Sequence, residues 1–161
     1  MPHKVDNSIL IPEIGKLLQE GKDVRFTPTG VSMRPFIEGE RDTVVLRKCN
    51  SYRVGDIVLA QIPNLQPPTS NLQPPTSVPL YVLHRIIAID DQFITLQGDG
   101  NLQGTEQCTA NDIFGKVVQI YKPDGHTKCL TRGRLWFYLK PCRRILLKVY
   151  RKLLKLHNNT L

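Results

Sequence analysis

The chain has no Cys-x-x-Cys pair, no run of 18 apolar residues and, after Asp124, no acidic residue. Each absence excludes something. Cys49, Cys108, Cys129 and Cys142 are widely spaced and have no nearby histidine pair. Neither a zinc site nor a disulfide scaffold is therefore expected, and no metal or cofactor is called for. Four reduced thiols in a reducing compartment, the cytoplasm, is the expectation. Residues 1–8 lack a hydrophobic stretch followed by a small-residue cleavage site, so no leader is expected. The missing apolar run likewise predicts no transmembrane helix.

What is present is 161 residues, enough for one domain with a real core. The net charge of +8 is unevenly placed. Residues 122–161 hold 11 of the 22 Lys and Arg but only Asp124 of the 14 acids, hence +10 there and −2 elsewhere. A globally basic protein would suggest nucleic acid, but here the excess belongs to one terminal segment.

The pattern divides the chain into an N-terminal helical segment (1–22), a β domain (23–121) and a basic amphipathic tail (122–161). Residues 8–20 read as a short helix with Pro12 in its first turn, Gly21 just past its end, and Ile14, Leu17 and Leu18 on one side. Strands are predicted over 23–27, 42–46, 56–62, 80–89, 93–97 and 113–121 from β-branched, alternating or continuous apolar runs bounded by turn residues. Between the third and fourth lies a Pro-rich loop (63–79) holding the tandem repeat Asn-Leu-Gln-Pro-Pro-Thr-Ser. Its paired prolines forbid regular pairing, so it reads as an extended, exposed hairpin tip with polyproline II character.

Three elements could carry chemistry. Thr29-Gly30-Val31-Ser32-Met33-Arg34-Pro35-Phe36 is a small-residue turn that presents one serine. A serine hydroxyl attacks poorly at neutral pH, so it needs a base and donors for the developing oxyanion. His84, on the fourth strand, offers the base. Gly98-Asp99-Gly100-Asn101 ends the following hairpin, which lets Asp99 approach His84 if the strands are in register. Glu106 and Asp112 are the alternatives for the carboxylate behind the imidazole.

In order and character, Ser32-Met33-Arg34-Pro35, then Gly55-Asp56-Ile57-Val58, then His84-Arg85-Ile86, then Gly98-Asp99-Gly100-Asn101, the chain resembles the signal peptidase and repressor-protease superfamily of serine peptidases (the S24/S26 type) over about residues 24–120. Gly30-Val31-Ser32-Met33 looks like the nucleophile box of the self-cleaving repressors, whose base is a lysine. A histidine before Arg-Ile is similar to the endoplasmic-reticulum type of signal peptidase. The chain departs from bacterial signal peptidases in carrying Gly30 where they have a serine.

The resemblance implies a mostly β, coiled, barrel-like catalytic domain between a short N-terminal helix and the basic C-terminal helix. It implies a serine endopeptidase that cleaves an extended, leader-like peptide through an acyl-enzyme. Ser32 would be the nucleophile, His84 the base and Asp99 its orienting partner, with Gly30, Thr29, Met33 and the Ser32 amide at the oxyanion and substrate site. An unperturbed imidazole titrates near 6.5, so cleavage with a histidine base should rise through about pH 6 to 7. Two other classes compete: a regulator that cleaves only itself, and an inactive module of the same fold that binds an extended peptide.

The tail has its own reading. Leu135, Leu139, Cys142, Leu146, Val149, Leu153 and Leu156 draw one apolar stripe along a helix interrupted at Pro141. Basic residues fill much of the remainder, and Trp136, Phe137 and Tyr138 cluster at the start. Such a helix over 132–156 suits an anionic membrane surface, giving a peripheral membrane protein. Docking of the stripe on the β domain is the plainer alternative, and a nucleic-acid contact a weaker third.

Overall fold

The computed structural model describes residues 6–63, 80–128, 139 and 142–158. The tandem repeat, the aromatic cluster at 136–138 and Pro141 lie outside them. Among the described residues the chain is mostly β, a curled antiparallel half-barrel sheet with two helices.

Helix α1 (Asn7–Gln19) begins where Asp6 accepts a hydrogen bond from the Ser8 amide at 2.8 Å, and Gly21 follows its end at φ +78°. The Asp6 cap starts the helix one residue earlier than the pattern predicts, so Pro12 lies inside it rather than in the first turn. Ile11, Ile14 and Leu18 are buried at i, i+3 and i+7, whereas Leu17, expected on that side, is exposed.

The strands are β1 (Val24–Phe26), β2 (Thr43–Arg47), β3 (Ile57–Ile62), β4 (Leu80–Ile89), β5 (Ile94–Gln97), β6 (Glu106–Cys108), β7 (Ile113–Tyr121) and β8 (Thr127–Lys128). They pair in the order β1-β2-β7-β3-β4-β5-β6, with β8 on β7, and every pairing is antiparallel. β3 is buried on both faces, which is why it reads as a continuous apolar run. Ile57 and Leu59 join α1, Val44, Leu46 and Ile120 in one core, while Val58 and Ala60 meet Ile86, Leu96 and Ile113 in the other.

The β4–β5 hairpin carries an irregularity. Near its turn the two strands pair Ile89 with Ile94 and Ala88 with Thr95, but beyond a bulge between Ile86 and Ala88 the pairs are Ile86 with Leu96 and Arg85 with Gln97. The register has slipped by one residue, and a slip of one exchanges the faces on which facing side chains meet.

Helix α2 (Arg143–Asn158) returns to the segment that follows the Ser32 turn. Its Leu147 is fully buried, and the Tyr150 hydroxyl donates to Glu38 Oε2 at 2.9 Å. Glu38 also accepts from the Arg34 guanidinium. Among the described residues no helix is long and apolar enough to cross a membrane.

Candidate functional site

The segment between β1 and β2 is folded on itself by backbone contact. Gly30 stands at φ +89°, a conformation suited to glycine, and a Cβ on Gly39 would lie 2.1 Å from the Gly30 carbonyl oxygen. The Glu40 amide donates to the Pro28 carbonyl at 2.8 Å and closes the loop. Met33 and Ile37 are buried in the core beneath α1, so the turn that presents Ser32 is anchored from below. Gly39 is a residue that sequence reasoning missed; its only signal was an isolated glycine between two glutamates.

Ser32 and His84 line the same cleft, a cavity of about 110 Å³. One wall is Pro28, Thr29 and Gly30; the other is Tyr81–His84 of β4, with Met33 and Ile37 at its lining. Thr29 and Gly30 are exposed, Ser32 half-buried and Met33 buried. All five of the residues expected at the nucleophile, base and oxyanion positions therefore border one cavity, brought together from two separate stretches of chain.

The carboxylate is where the expectation and the structure part. Glu106, not Asp99, meets the imidazole: His84 Nδ1 lies 3.0 Å from Glu106 Oε2. Asp99 is bound bidentately by Arg85, Nε to Oδ1 at 2.8 Å and Nη2 to Oδ2 at 2.6 Å, and both side chains are 2% exposed. The bulge supplies the reason. Continued from the turn, the Ile89–Ile94 register would set His84 opposite Asp99; after the slip it is Gly98 that falls opposite His84, and Asp99 shares the face of Arg85 and Gln97. Leu96 pairs with Ile86 on one side and with Glu106 on the other, so Glu106 lies on the His84 face two strands away. Asp112 accepts from the Thr109 amide and hydroxyl and caps a 3-10 turn.

Gly98-Asp99-Gly100-Asn101 nevertheless belongs to the site, as a support. The Gly100 amide donates to the Ser32 carbonyl at 2.7 Å, and a Cβ on Gly98 would stand 2.6 Å from that same oxygen. Both glycines allow the loop to lie against the serine turn, and Asp99 pins it to β4 through Arg85. Arg85 also donates to the Gly55 carbonyl at 2.7 Å and its guanidinium lies 5.5 Å from the Phe36 ring centroid. One buried cation thus ties together the β4 strand, the Gly55 turn, the Gly98 loop and the chain just after Ser32. Asp56, in the Gly55-Asp56 motif, accepts from the Arg53 amide at 3.0 Å and from Lys116 at 3.2 Å.

The electrostatics around the Ser32 segment tie α2 to it. Burial pushes the Tyr150 phenol up to about 12, and the hydrogen bond to the Glu38 carboxylate adds to it. Burial lowers the Arg143 guanidinium; nearby Asp99 opposes that and Arg85 adds to it. Burial alone would raise the Asp42 carboxyl, but hydrogen bonds from Arg41, Lys128 and the Glu38 amide outweigh it and hold it below the ordinary carboxylate value. Burial raises the Cys108 thiol to about 11, so it behaves as core.

Chemically, an imidazole whose Nδ1 donates to a carboxylate keeps a lone pair on Nε2. The Ser32 hydroxyl borders the same cleft as that imidazole. No protein-family model matches the chain, and a search of curated proteins finds no match.

Proposed function

We propose that the protein is a serine endopeptidase of the signal-peptidase-like type, acting on an extended segment of a peptide or protein. The observation that carries this reading is the shared cleft of Ser32 and His84, with Glu106 behind the imidazole. Ser32 Oγ attacks the scissile carbonyl while His84 takes its proton and returns it to the leaving amine; water then releases the acyl group by the same route in reverse. Glu106 holds the imidazole orientation, the role assigned from sequence to Asp99. The Ser32 amide, beside Gly30 and Thr29, is the donor for the oxyanion, worth about 3 kcal/mol per donor in such sites.

The substrate's conformation comes from the walls. β3 pairs with Leu80–His84 on one side, but β5 begins its pairing only at Arg85, so among the described residues no strand occupies the other edge of that half of β4. Pro28–Gly30 faces it across the cleft. An extended peptide entering there can take hydrogen bonds from an open strand edge. Val31 and Leu80, both well exposed, offer apolar contact beside it.

A serine-directed acylating probe tests the reading. Ser32 should be labelled in the wild-type chain, and labelling should vanish in Ser32→Ala and His84→Ala variants that retain the wild-type melting temperature. A peptide library should then be cleaved in trans. Labelling that persists in folded His84→Ala would remove the mechanism; no labelling at all would leave a peptide-binding module.

A further inference from the structure

Helix α2 has three faces rather than two. At about 100° per residue, Arg143, Leu147 and Tyr150 fall within one narrow arc, and this is the arc that docks: Leu147 is 1% and Arg143 5% exposed. Arg144, Lys148, Arg151 and Lys152 occupy a second arc, all exposed. Ile145, Leu146, Val149 and Leu153 occupy a third, and it points to solvent, with Ile145 66% and Leu153 59% exposed. The apolar stripe read from the sequence is therefore not what holds the helix to the sheet; among its described members Leu139, Leu146, Val149 and Leu153 are all exposed. A separate inner face holds it, which frees the stripe for a partner.

We propose that this outer face takes an anionic phospholipid surface, with the apolar arc entering the headgroup boundary and the basic arc meeting the lipid phosphates. The charge pattern selects this partner. α2 carries six Lys and Arg and no Asp or Glu, so pairing the same face with a second copy would gather like charges with no acid on the helix to offset them. A nucleic acid would satisfy the basic arc and leave the apolar one in water. An anionic bilayer surface satisfies both arcs at once. Through Tyr150 and Glu38 the helix is fixed to the segment after Ser32, so lipid contact holds the cleft beside the membrane. The lipid contact itself does not depend on whether Ser32 is a nucleophile.

Flotation of the full chain with phosphatidylcholine vesicles, with and without phosphatidylglycerol, tests it. Binding is expected only with phosphatidylglycerol, and should fall steeply with added salt as the Debye length shrinks. Lys148→Gln and Arg151→Gln should each weaken partitioning about fivefold. Ile145→Glu combined with Val149→Glu should abolish it while leaving far-UV circular dichroism and melting unchanged, because both side chains already face water. Equal binding to pure phosphatidylcholine, or binding that survives the double substitution, would overturn the proposal. So would a concentration-dependent dimer broken by Ile145→Glu, or binding to duplex nucleic acid, in the absence of vesicle binding.

Discussion

The two faces of β4 carry two charge pairs one residue apart, and they are built for different work. Arg85 and Asp99 are sealed from water, doubly hydrogen-bonded and surrounded by fixed partners, Gly55 and Phe36. His84 and Glu106 share a single contact; the histidine borders a cleft and about a quarter of the glutamate side chain reaches solvent. A buried, bidentate pair holds the Gly98 loop against the strand. A pair with one end open to a cavity is within reach of whatever enters it. The difference lies in burial and in the number of hydrogen bonds, not in the residue types alone.

Substitution can separate the two roles. Asp99→Ala strips Arg85 of its bidentate partner in a dry site and should cost about 3–5 kcal/mol in urea unfolding; a loss under about 1 kcal/mol would mean that the pair does not hold the fold. Glu106→Gln should leave stability within about 1 kcal/mol, since the pair is partly solvated. In the proposed peptidase it should slow cleavage by roughly 10²- to 10⁴-fold. Equal effects of the two substitutions on both readouts would erase the distinction between the sealed pair and the one open to the cleft.

Gly98→Ala falls between them. Its Cβ meets the Ser32 carbonyl and the Asn101 amide nitrogen at 2.6 and 2.9 Å, so the serine turn must shift. About 1–3 kcal/mol of stability should be lost, with acylation of Ser32 reduced more than the melting temperature suggests.

The smallest effects concern the docking of α2. Tyr150→Phe removes one partly buried hydrogen bond and should cost about 1 kcal/mol. The Tyr150 phenol is raised from 10.0 to about 12 in the folded protein, so its contribution is complete below pH 10 and lost as pH rises from 10 to about 12. Asp42 has the opposite sign. Its folded carboxyl lies below the ordinary 3.8, so its contribution is complete above that value and disappears as pH falls through the folded one. Stability measured against pH should lose part of its alkaline limb in Tyr150→Phe, the buried Cys108 thiol keeping the rest, and part of its acid limb in Asp42→Asn.

The sequence was legible where a pattern is local. The runs 80–89 and 113–121 coincide with β4 and β7, and Gly21 stops α1 as its lack of a Cβ allows. The bordering of one cleft by Ser32 and His84 was legible only through the order of four motifs, because nothing local joins a turn at 32 to a strand at 84. β6 was not legible: Glu106-Gln107-Cys108 is too short to display alternation, and its pairing with β5 exists only in the assembled sheet. The docking face of α2 was hidden for a related reason. An apolar stripe predicts which side of a helix avoids water, but the buried Leu147 and half-buried Tyr150 lie on another side, where Tyr150 meets Glu38.

By itself, the sequence determined which side chains were available: one serine on a glycine turn, one histidine on a long strand, several carboxylates downstream, and a tail with charges of one sign. Tertiary structure decided which carboxylate each cation received. A single bulge between Ile86 and Ala88 moved the strand register by one, gave Asp99 to Arg85 and left His84 to Glu106. Side chains alternate across a strand with a period of two, so a displacement of one residue exchanges partners completely, and no composition or motif records it.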